Sequence, residues 1–426
     1  MTPRPALPGD WDGMVVIHAA TSWDSVKLAD HHVATALSRL VPVLYVDPPM
    51  SVLTPLKHPE LRGALREPRL RLLAPGLARL TPVVQPGMER PGLVHLTTAL
   101  MRQGMRRATR SLGGPVQAVI CVSTLVNTLG ACGEVVQCYW AKDDYVGGAG
   151  LFGLSPERIA RGEFAVAAQA DVLVVASPSV EATWRSRGYD PVLIPHGADL
   201  TAFAGTESAP LPDDVDLPSP IAGFVGHVND RVDLELLEAV AESGCSLLLV
   251  GPRHDRDKTD RIQRLLARDN VRWVGRKPFE ALPSYLRVMD IGLVPYGDTP
   301  YNRGSFPLKI LEYLSAGRGV VATDLPATRW LLAAGGSLGG AEGLLTIAHD
   351  TPSFVEAVKL AVARPRSALH ADRCRSFAAA HSWDVRARAF ADALGAGGGV
   401  PREAAGHTGP GRPLRPNAAG ESVLST

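Results

Sequence analysis

The sequence predicts an α/β protein with two parallel sheets in two domains. Short apolar runs alternate with amphipathic segments in two series, residues 14–200 and 221–380, and this alternation is typical of parallel strands connected by helices. Prolines among acidic and small residues at 201–220 predict a linker between the two series. A chain of 426 residues can bury two such cores. We therefore expect two wound sheets on either side of a linker, with a cleft between them.

The composition excludes several classes of protein. The 44 basic and 43 acidic residues give a net charge of +1, so no global positive field indicates nucleic-acid binding. Five cysteines without CxxC spacing predict reduced thiols in a cytoplasmic protein and disfavour a zinc site. Residues 1–13 lack an apolar signal-peptide core and are expected to form a flexible N-terminus. No run reaches about 18 apolar residues, so a membrane span is not expected.

The first series follows a strand and helix rhythm that residues 51–115 interrupt. Its predicted strands lie at 14–18, 42–46, 118–122, 134–139, 171–176 and 191–195. Its predicted helices lie at 29–40, 155–170 and 179–188. Open parallel sheets bind ligands at the carboxyl ends of their strands, so the loops that follow these strands are the candidate binding loops.

Two of these loops carry polar or aromatic candidates. Ser22 and Trp23 follow the first strand, and the adjacent carboxylates Asp143 and Asp144 follow the fourth. Such carboxylates can bind sugar hydroxyls, join a metal site if other ligands converge, or cap a loop, and the sequence leaves these roles open. The paired histidines at the start of the first helix either reach a ligand or lie on the helix surface.

Residues 51–115 carry eleven basic and three acidic residues and therefore predict a basic surface. Within them, 93–112 reads as a helix with Leu96, Leu100 and Met101 facing one way. Its arginines lie towards the end of the helix and are Arg102, Arg106, Arg107 and Arg110. This pattern suits either an anionic lipid headgroup surface or an ordinary solvated helix.

The second series has the same rhythm as the first. Its predicted strands lie at 221–225, 246–251, 271–275, 291–295 and 319–323. Its predicted helices lie at 233–242, 257–267 and 283–288, with a short helix between the last two strands. A final helix is expected at 383–394, and the Gly-rich and Pro-rich tail 396–426 is expected to be disordered.

The short helix of the second series, within residues 305–323, is well delimited. Ser305 can cap it, Pro307 suits its first turn and Gly317 can end it. Lys309 and Glu312 lie three positions apart and therefore share one face of the helix.

This spacing predicts a nucleotide-diphosphate clamp. Lys309 adds a full positive charge at a helix N-terminus that already attracts anions. Glu312 lies about 4.5 Å further along the axis, at about 1.5 Å per residue, an offset that suits a diphosphate followed by a ribose with two hydroxyls. The alternative is an ordinary Lys–Glu pair on a solvated helix face, and this fragment alone leaves both interpretations open.

Seven motifs in order across residues 14–395 resemble retaining glycosyltransferases of the GT-B fold, family 4-like (group 1), and within them the teichuronic-acid and cell-envelope polysaccharide group. The motifs are 195–199 (PHGAD), 223–226 (GFVG), 250–252 (VGP), 271–275 (VRWVG), 290–295 (DIGLVP), the PxKxxE helix at 307–312 and Ser382-Trp383. The resemblance implies two Rossmann-like domains facing across a cleft. They are an acceptor domain at 14–200 with 381–395 packing back on it, and a nucleotide-sugar domain at 221–380.

The implied activity is transfer of a sugar from a nucleotide-diphosphate sugar to a cell-envelope glycan or lipid-linked acceptor with retention, a hexosyltransferase-type reaction of class EC 2.4. The resemblance implies that Glu312 accepts from the ribose hydroxyls, that Lys309 and Arg231 neutralise the diphosphate, and that Gly226 lets the backbone approach the phosphates. Main-chain groups around Gly275, Arg276 and Lys277 would contact the base. Further donor-binding candidates are His227, Arg253, Asn302, Arg303, Ser305, Phe306 and Pro307. Asp144 joins Lys309 and Arg231 as a catalytic candidate, and Ser22, Trp23 and Asp143 are acceptor candidates.

The sequence departs from the family pattern at two positions. Many relatives have a second glutamate eight residues before the one that matches Glu312, where Gly304 stands here, so the loop 301–305 is expected to bind the sugar through Asn302 or backbone N–H groups. His227 stands where an arginine is common. Arg231 is therefore the expected phosphate-binding arginine, with Arg253 and Arg303 in reserve.

Two other functions remain open on the same architecture, a nucleotide-sugar epimerase and a non-catalytic sugar-binding relative. The GxxG spacing at 223–226 lacks the dinucleotide fingerprint and disfavours a dehydrogenase, and no GxSxG motif indicates a hydrolase. The expected partners are a nucleotide-sugar, a glycan or lipid-linked acceptor and an anionic membrane surface, without nucleic acid, metal or cofactor. The expected location is the cytoplasm or the inner face of the cell membrane.

Overall fold

The computed structural model describes residues 9–397, except positions 26, 89, 154, 254–258, 336–340 and 342. The chain divides into two compact units. Unit 1 comprises Met1–Pro195 and Trp383–Thr426, and unit 2 comprises His196–Ser382. Most of the expected tail, part of the expected flexible N-terminus and the start of the helix predicted at 257–267 lie outside the described residues.

Each unit is built on one sheet. The strands of unit 1 are β1 (Met14–His18), β2 (Val43–Val46), β3 (Leu70–Ala74), β4 (Leu77–Leu80), β5 (Val116–Cys121), β6 (Val136–Ala141), β7 (Val172–Val175) and β8 (Val192–Leu193). Those of unit 2 are β9 (Ile221–Val225), β10 (Ser246–Val250), β11 (Val271–Trp273), β12 (Ile291–Val294), β13 (Gly319–Thr323) and β14 (Leu345–Ala348). Strands such as β1, β9 and β10 are mostly apolar and are buried along their whole length, as a sheet covered on both faces requires.

Helices connect these strands. In chain order they are α1 (Ala29–Leu37), α2 (Thr54–Lys57), α3 (Val94–Leu112), α4 (Ala149–Phe152), α5 (Pro156–Ala167), α6 (Pro178–Ser186), α7 (Leu200–Phe203), α8 (Leu234–Glu242), α9 (Thr259–Leu266), α10 (Leu282–Val288), α11 (Pro300–Gly304), α12 (Leu308–Ser315), α13 (Pro326–Gly335), α14 (Thr351–Val362), α15 (Ala368–Ala380) and α16 (Trp383–Ala393). Short 3-10 segments lie at Pro59–Leu65, Thr206–Ser208 and Phe279–Ala281. Of these helices, none is long and apolar enough to cross a bilayer within the described part of the chain.

The order of strands reverses once in each sheet. Unit 1 has the order β3-β4-β2-β1-β5-β6-β7-β8, in which β3 alone runs antiparallel to its neighbour. Unit 2 has the order β11-β10-β9-β12-β13-β14, and its strand pairs are parallel. Ligands of open α/β sheets bind beside the carboxyl ends of the strands at such a reversal. The reversals lie between β1 and β5 in unit 1 and between β9 and β12 in unit 2.

The last helix, α16, packs in unit 1 against α1. The indole of Trp383 stacks on the ring of His32 with centroids 5.2 Å apart. Phe390 packs edge-on against Trp140 at 5.0 Å, and Arg39 pairs with Asp384 at 2.6 Å. Unit 1 is therefore assembled from the first half and the last helix of the chain.

Several elements differ from the sequence prediction. The strands β3 and β4 fall in the basic stretch where no strand was expected, because half-exposed positions and charges obscure the apolar pattern of β3. The expected linker begins with α7 and a 3-10 turn, which belong to unit 2. The expected single apolar face of α3 is wrong: Leu96 is exposed and Met101 fully buried, because the buried stripe runs through Thr97, Met101, Met105, Ala108 and Leu112.

Tyr313 fixes α12 over the centre of the sheet in unit 2. Its side chain is fully buried, and its hydroxyl oxygen accepts a hydrogen bond from Val225 N, at the end of β9, at 2.7 Å. Gly292 of β12 leaves room for the ring, because a Cβ at this position would clash with it. The helix is therefore held to both strands that flank the reversal.

We expect Tyr313→Phe to lower the free energy of unfolding by about 1 to 3 kcal/mol, because it leaves the buried Val225 N–H without its partner. Urea unfolding measures the loss. Tyr189→Phe is the control, since Tyr189 is partly exposed and its hydroxyl makes no hydrogen bond that the structure describes. Equal losses in the two variants would contradict this role of Tyr313.

Candidate functional site

The loops that follow β9 and β12 are joined to each other at the strand reversal of unit 2. Val232 pairs with Tyr296 in an antiparallel bridge. Asp233 N donates to the carbonyl oxygen of Pro295 at 2.8 Å, and Gly297 N donates to that of Arg231 at 2.9 Å. Residues far apart in sequence thus form one surface at the position where a wound sheet binds its ligand.

Arg231 is held rigidly on this surface. Its guanidinium lies 4.7 Å from the ring centroid of Tyr296 and 5.0 Å from that of Tyr301, a distance at which a cation is attracted to an aromatic face. Its Nε donates to Asn302 Oδ1 at 2.9 Å. Asn302 is buried and donates through Nδ2 to the carbonyl oxygens of Arg231 and Gly297. The sequence-predicted cation is therefore in a fixed position.

Asn302, which with backbone N–H groups was the candidate for binding the sugar, already makes hydrogen bonds within the protein. Its side-chain oxygen and amide hydrogens are engaged within unit 2, and the side chain is 1% exposed. The expected loop at 301–305 is instead part of α11, which Thr299 caps by accepting from Asn302 N at 3.2 Å. Asn302 therefore positions Arg231.

Lys309 and Glu312 form an ion pair at the start of α12, with Nζ and Oε2 2.6 Å apart. The Lys309 side chain is one-quarter exposed, whereas the Glu312 side chain is 11% exposed, so the solvated-face interpretation does not describe this pair. The cap prediction was wrong: Pro307 precedes the first helical residue, and Ser305 Oγ donates to the carbonyl oxygen of Tyr301 at 2.8 Å. Gly317 has φ +74° and follows the helix, as expected.

Phe306 and Pro307 bring the chain from α11 into α12, and both are buried. The ring of Phe306 packs edge-on against His196 at 6.0 Å and Trp330 at 6.1 Å. The PHGAD turn and α13 thereby support the start of α12. This packing explains why the Lys309 and Glu312 end of the helix is ordered.

Glycines end three neighbouring strands of unit 2. Gly226 follows β9, Gly251 follows β10 with φ +143°, and Gly275 follows the third strand with φ +71°. Gly251 N donates to the carbonyl oxygen of Gly275 at 2.8 Å, and a Cβ on Gly251 would clash with Gly226 O. The loops after these strands therefore pack backbone against backbone, which a side chain on Gly251 would prevent. Gly251 was not among the predicted residues, although its position directly after an apolar strand is the signal.

Five other residues predicted to contact the donor have definite surroundings. Lys277 pairs with Asp214 at 2.5 Å and lies 5.4 Å from the ring of Tyr285, so its ammonium is already neutralised. Arg253 lies 4.6 Å from the ring of Trp273. Arg303 forms an exposed ion pair with Asp298, with Nη2 and Oδ2 2.6 Å apart. Arg276 is exposed, and His227 adjoins Gly226 after β9.

In unit 1, the loop 19–25 lies at the strand reversal and is held from many sides. Asp30 Oδ2 accepts from Ala20 N at 2.7 Å and Thr21 N at 3.2 Å. The Tyr45 hydroxyl donates to the carbonyl oxygen of Thr21 at 2.5 Å, and His31 Nε2 donates to that of Ser22 at 3.1 Å. The loop that carries two predicted acceptor contacts is therefore rigid.

Trp23 and Asp24 complete this arrangement. Trp23 N donates to Asp47 Oδ1 at 2.9 Å, and the indole packs against the rings of His31 and Tyr45 at 5.2 and 4.8 Å. The guanidinium of Arg79 is buried and donates to Asp47 Oδ2 at 2.8 Å. It also donates to both carboxylate oxygens of Asp24 at 2.8 Å, and to Ser22 Oγ at 3.4 Å. One arginine thus bridges the loop and the strand beside it.

Buried charges support this loop, and sequence analysis missed them. Asp30 pairs with Lys142, and both side chains are almost completely buried. Burial opposes the ionisation of Asp30, but the charge and hydrogen bond of Lys142 outweigh it, so the pKa of Asp30 lies below its usual value. Burial raises the pKa of Asp47 although Arg79 acts against it. Asp47 and Lys142 directly follow strands β2 and β6, which is the signal that could have identified them.

Asp144 caps a turn, since its Oδ1 accepts from Gly147 N at 2.8 Å. The neighbouring Asp143 accepts from Tyr145 N through its carbonyl oxygen at 3.0 Å. Nearby, Tyr139 donates to Glu163 Oε1 at 2.9 Å, and burial raises the pKa of Glu163 to about 7. Among the residues that the structure describes, no group of three His, Cys, Asp or Glu side chains could hold a metal ion.

Known proteins with similar sequences are glycosyltransferases. Residues 219–363 match a family model described as glycosyl transferases group 1. A protein of Bacillus subtilis (strain 168) named "Putative teichuronic acid biosynthesis glycosyltransferase TuaH" is 34% identical over 138 residues, which are 32% of this chain and 34% of that protein. The match therefore covers about a third of the relative. The resemblance inferred from the motifs is confirmed for unit 2, which contains the matched residues.

Solved structures show the same fold. Sucrose-phosphate synthase from Thermosynechococcus elongatus matches with a TM-score of 0.65 and 18% identity over 88% of this chain and 97% of that chain. HepE (Alr3699) from Anabaena, solved with UDP and glucose, matches with a TM-score of 0.60 and 13% identity over 90% of this chain and 99% of that chain. The predicted fold class is confirmed: the chain has two parallel-sheet α/β units of the GT-B type.

Glu163 predicts a pH dependence of stability. Its pKa is about 7 in the folded protein against an ordinary value of 4.5, so the folded state holds the proton more tightly. Its contribution to stability is therefore fully present below pH 4.5 and is lost as the pH rises to 7. We expect the free energy of unfolding of Glu163→Gln to equal that of the wild type near pH 4.5. Near pH 8 it should exceed that of the wild type by up to about 3 kcal/mol.

Urea unfolding at these two pH values measures the difference, with the exposed Glu356→Gln on α14 as the control. A Glu163→Gln variant whose stability relative to the wild type is the same at both pH values would contradict the buried, protonated carboxyl.

Proposed function

We propose that this protein, whose residues 219–363 match the glycosyl transferases group 1 family model, transfers a sugar from a nucleoside-diphosphate sugar to an acceptor. The observation that carries the proposal is the placement of Arg231 and the Lys309–Glu312 pair at the strand reversal of unit 2. Two cations and one carboxylate beside a glycine-lined edge suit a diphosphate and a ribose. The HepE structure with UDP and glucose supports a donor of this class.

The ion pair at the start of α12 exchanges partners when the donor binds. The ammonium of Lys309 turns to the diphosphate, whose negative charge grows as the glycosidic bond breaks. Glu312 is then released to accept hydrogen bonds from the ribose hydroxyls. Arg231 binds the same diphosphate without reorganising, because Tyr296 and Tyr301 already enclose its guanidinium. This prior arrangement of positive charge is the main contribution to catalysis.

Unit 1 binds the acceptor. The rigid loop presents Ser22 and the indole of Trp23, and a sugar ring packs well on an aromatic face. Asp143 and Asp144 follow the neighbouring strand β6 and supply carboxylate acceptors for sugar hydroxyls. Asp144 is the catalytic candidate in this unit, held in place by Gly147 N.

The finer assignments follow from the relative in Bacillus subtilis. Its printed name refers to teichuronic acid biosynthesis, which supports a glycan as the acceptor. We propose in addition that this glycan is a cell-envelope or lipid-linked glycan, and that the protein lies peripherally on the inner face of the membrane. We propose retention of the anomeric configuration and catalysis without a metal or cofactor, since Lys309 and Arg231 supply the positive charge that a metal would otherwise provide.

Replacing Glu312 with alanine should weaken UDP binding about 10- to 100-fold, because the ribose hydroxyls lose a charged acceptor. Lys309→Met should lower turnover about 100-fold or more. It should also lower the free energy of unfolding by about 1 to 3 kcal/mol, because it leaves the nearly buried carboxylate of Glu312 without its partner. Isothermal titration with UDP and urea unfolding measure these effects. Lys359→Met, on an exposed lysine of α14, is the control. Unchanged binding and turnover in both site variants would remove the assignment of this site.

The donor and the reaction can be identified together. Thermal-shift screening with UDP, GDP, ADP and TDP, followed by their sugars, should show stabilisation by one nucleotide series. Slow hydrolysis of one donor, resolved by proton NMR and unchanged by EDTA, is expected of a metal-independent retaining transferase that lacks its acceptor. Interconversion of two nucleotide-sugars would instead indicate an epimerase, and binding without turnover in the presence of acceptor extracts would indicate a sugar-binding protein.

A further inference from the structure

Three large aliphatic side chains are exposed close together after β2. Val52 is 64% exposed, Leu53 51% and Leu56 74%. We call these three residues the apolar knob. Single exposed leucines are normal on soluble proteins, but no other five-residue stretch of the described chain exposes three large apolar side chains. Because water contact of these side chains is unfavourable, the cluster indicates a surface that another phase or molecule covers.

The knob and the loop that carries Ser22 and Trp23 leave the unit 1 sheet at the same edge, the one at the carboxyl ends of its parallel strands. Both segments follow the carboxyl ends of neighbouring parallel strands, β2 and β1. The chain that enters the knob is fixed there, since Met50 pairs with Val83 and accepts from Val84 N at 2.7 Å.

The start of α3 adds to this surface. Gln85, two residues after the bridge that fixes the knob, donates to the carbonyl oxygen of Leu93 at 3.2 Å and to Thr97 Oγ1 at 2.7 Å. These contacts attach the first turn of α3 to the same edge. Leu93 and Leu96 in that turn are 36% and 48% exposed.

The surroundings of the knob are positively charged. Arg62, Arg66 and Arg69 follow it in the chain and are exposed. The exposed acid Glu67 is paired with Arg71. Exposed aliphatic groups with a rim of arginines are the composition that binds an anionic bilayer, where the apolar groups enter the acyl boundary and the guanidinium groups contact phosphates.

We propose that the apolar knob, with Leu93 and Leu96 and the arginines beside them, docks unit 1 on an anionic phospholipid bilayer. A second copy of this chain is a poorer occupant, because a two-fold contact would bring the same arginines together. This inference rests on the proposed function for its purpose: a lipid-linked acceptor stays in the bilayer while its head reaches the loop with Ser22 and Trp23. The proposed surface differs from the one expected from sequence, because its apolar contact is the knob rather than Met101 and its arginines are Arg62, Arg66 and Arg69 rather than those of α3.

Flotation of the full-length protein with vesicles tests the proposal. We expect binding to phosphatidylcholine vesicles that contain about one-third phosphatidylglycerol, at least about tenfold weaker binding to pure phosphatidylcholine, and a loss at about 1 M salt relative to about 0.1 M. Equal binding to both vesicles, or no binding to either, would overturn the proposal.

Two matched double variants locate the contact. Leu53→Asp with Leu56→Asp should lower the bound fraction on anionic vesicles at least about tenfold, because two inserted side chains become charged. Leu360→Asp with Leu369→Asp changes leucines of unit 2 with comparable exposures, 57% and 74%, and should bind as the wild type does. Equal loss in both variants, or a knob variant that changes from dimer to monomer in sedimentation, would overturn the assignment.

UDP titration of the same variants separates this proposal from the proposed function. We expect the knob variant to keep its UDP affinity while losing vesicle binding, since the knob lies in unit 1 and the donor residues in unit 2. Vesicle binding by a protein that fails to bind any nucleotide would support the docking surface and contradict the transferase. Melting temperatures close to that of the wild type are expected because the replaced side chains are exposed.

Discussion

The reversal of strand order between β9 and β12 is the constraint from which the candidate donor site follows. Successive strands turn outwards in opposite directions at this point, so their loops separate and leave main-chain groups and side chains accessible beside the sheet. The hydrogen bonds between the two loops then fix Arg231, and the buried hydroxyl of Tyr313 fixes α12 with its Lys309 and Glu312. Topology decides where the charges lie, and local bonds decide how firmly they are held.

The two units fix the residues of their candidate sites through different interactions. Unit 2 holds Arg231 with two aromatic rings and one asparagine rather than with a buried ion pair. Unit 1 buries the pairs Asp30–Lys142 and Asp47–Arg79 beneath the loop 19–25. Removing ions from water costs free energy, and such pairs are more convincing as devices that fix a conformation than as sources of stability. A loop fixed in advance loses less entropy when a ligand binds.

Sequence analysis predicted best where one physical signal dominates. Strand β9 was predicted at its observed bounds because five apolar residues lie between turn signals, and Lys309 and Glu312 were paired correctly because spacing alone places them on one helix face. The contact of Asn302 with Arg231 was not predicted, because a sequence shows which groups can form hydrogen bonds but not which are already satisfied. Asp30 and Arg79 were missed for the same reason, since their burial arises from contacts between distant segments. The strand β3 escaped prediction because its side chains are only half buried.

The return of α16 to unit 1 has a consequence for biosynthesis. Unit 2 is one uninterrupted stretch that leaves the ribosome whole, whereas the surface of α1 that receives Trp383 stays uncovered until translation has passed residue 393. The first part of unit 1 is therefore synthesised long before the helix that completes it. Nascent chains that stall before residue 393 leave the α16-binding surface of α1 exposed to solvent. Unit 1 can therefore be completed only after the whole of unit 2 has been synthesised.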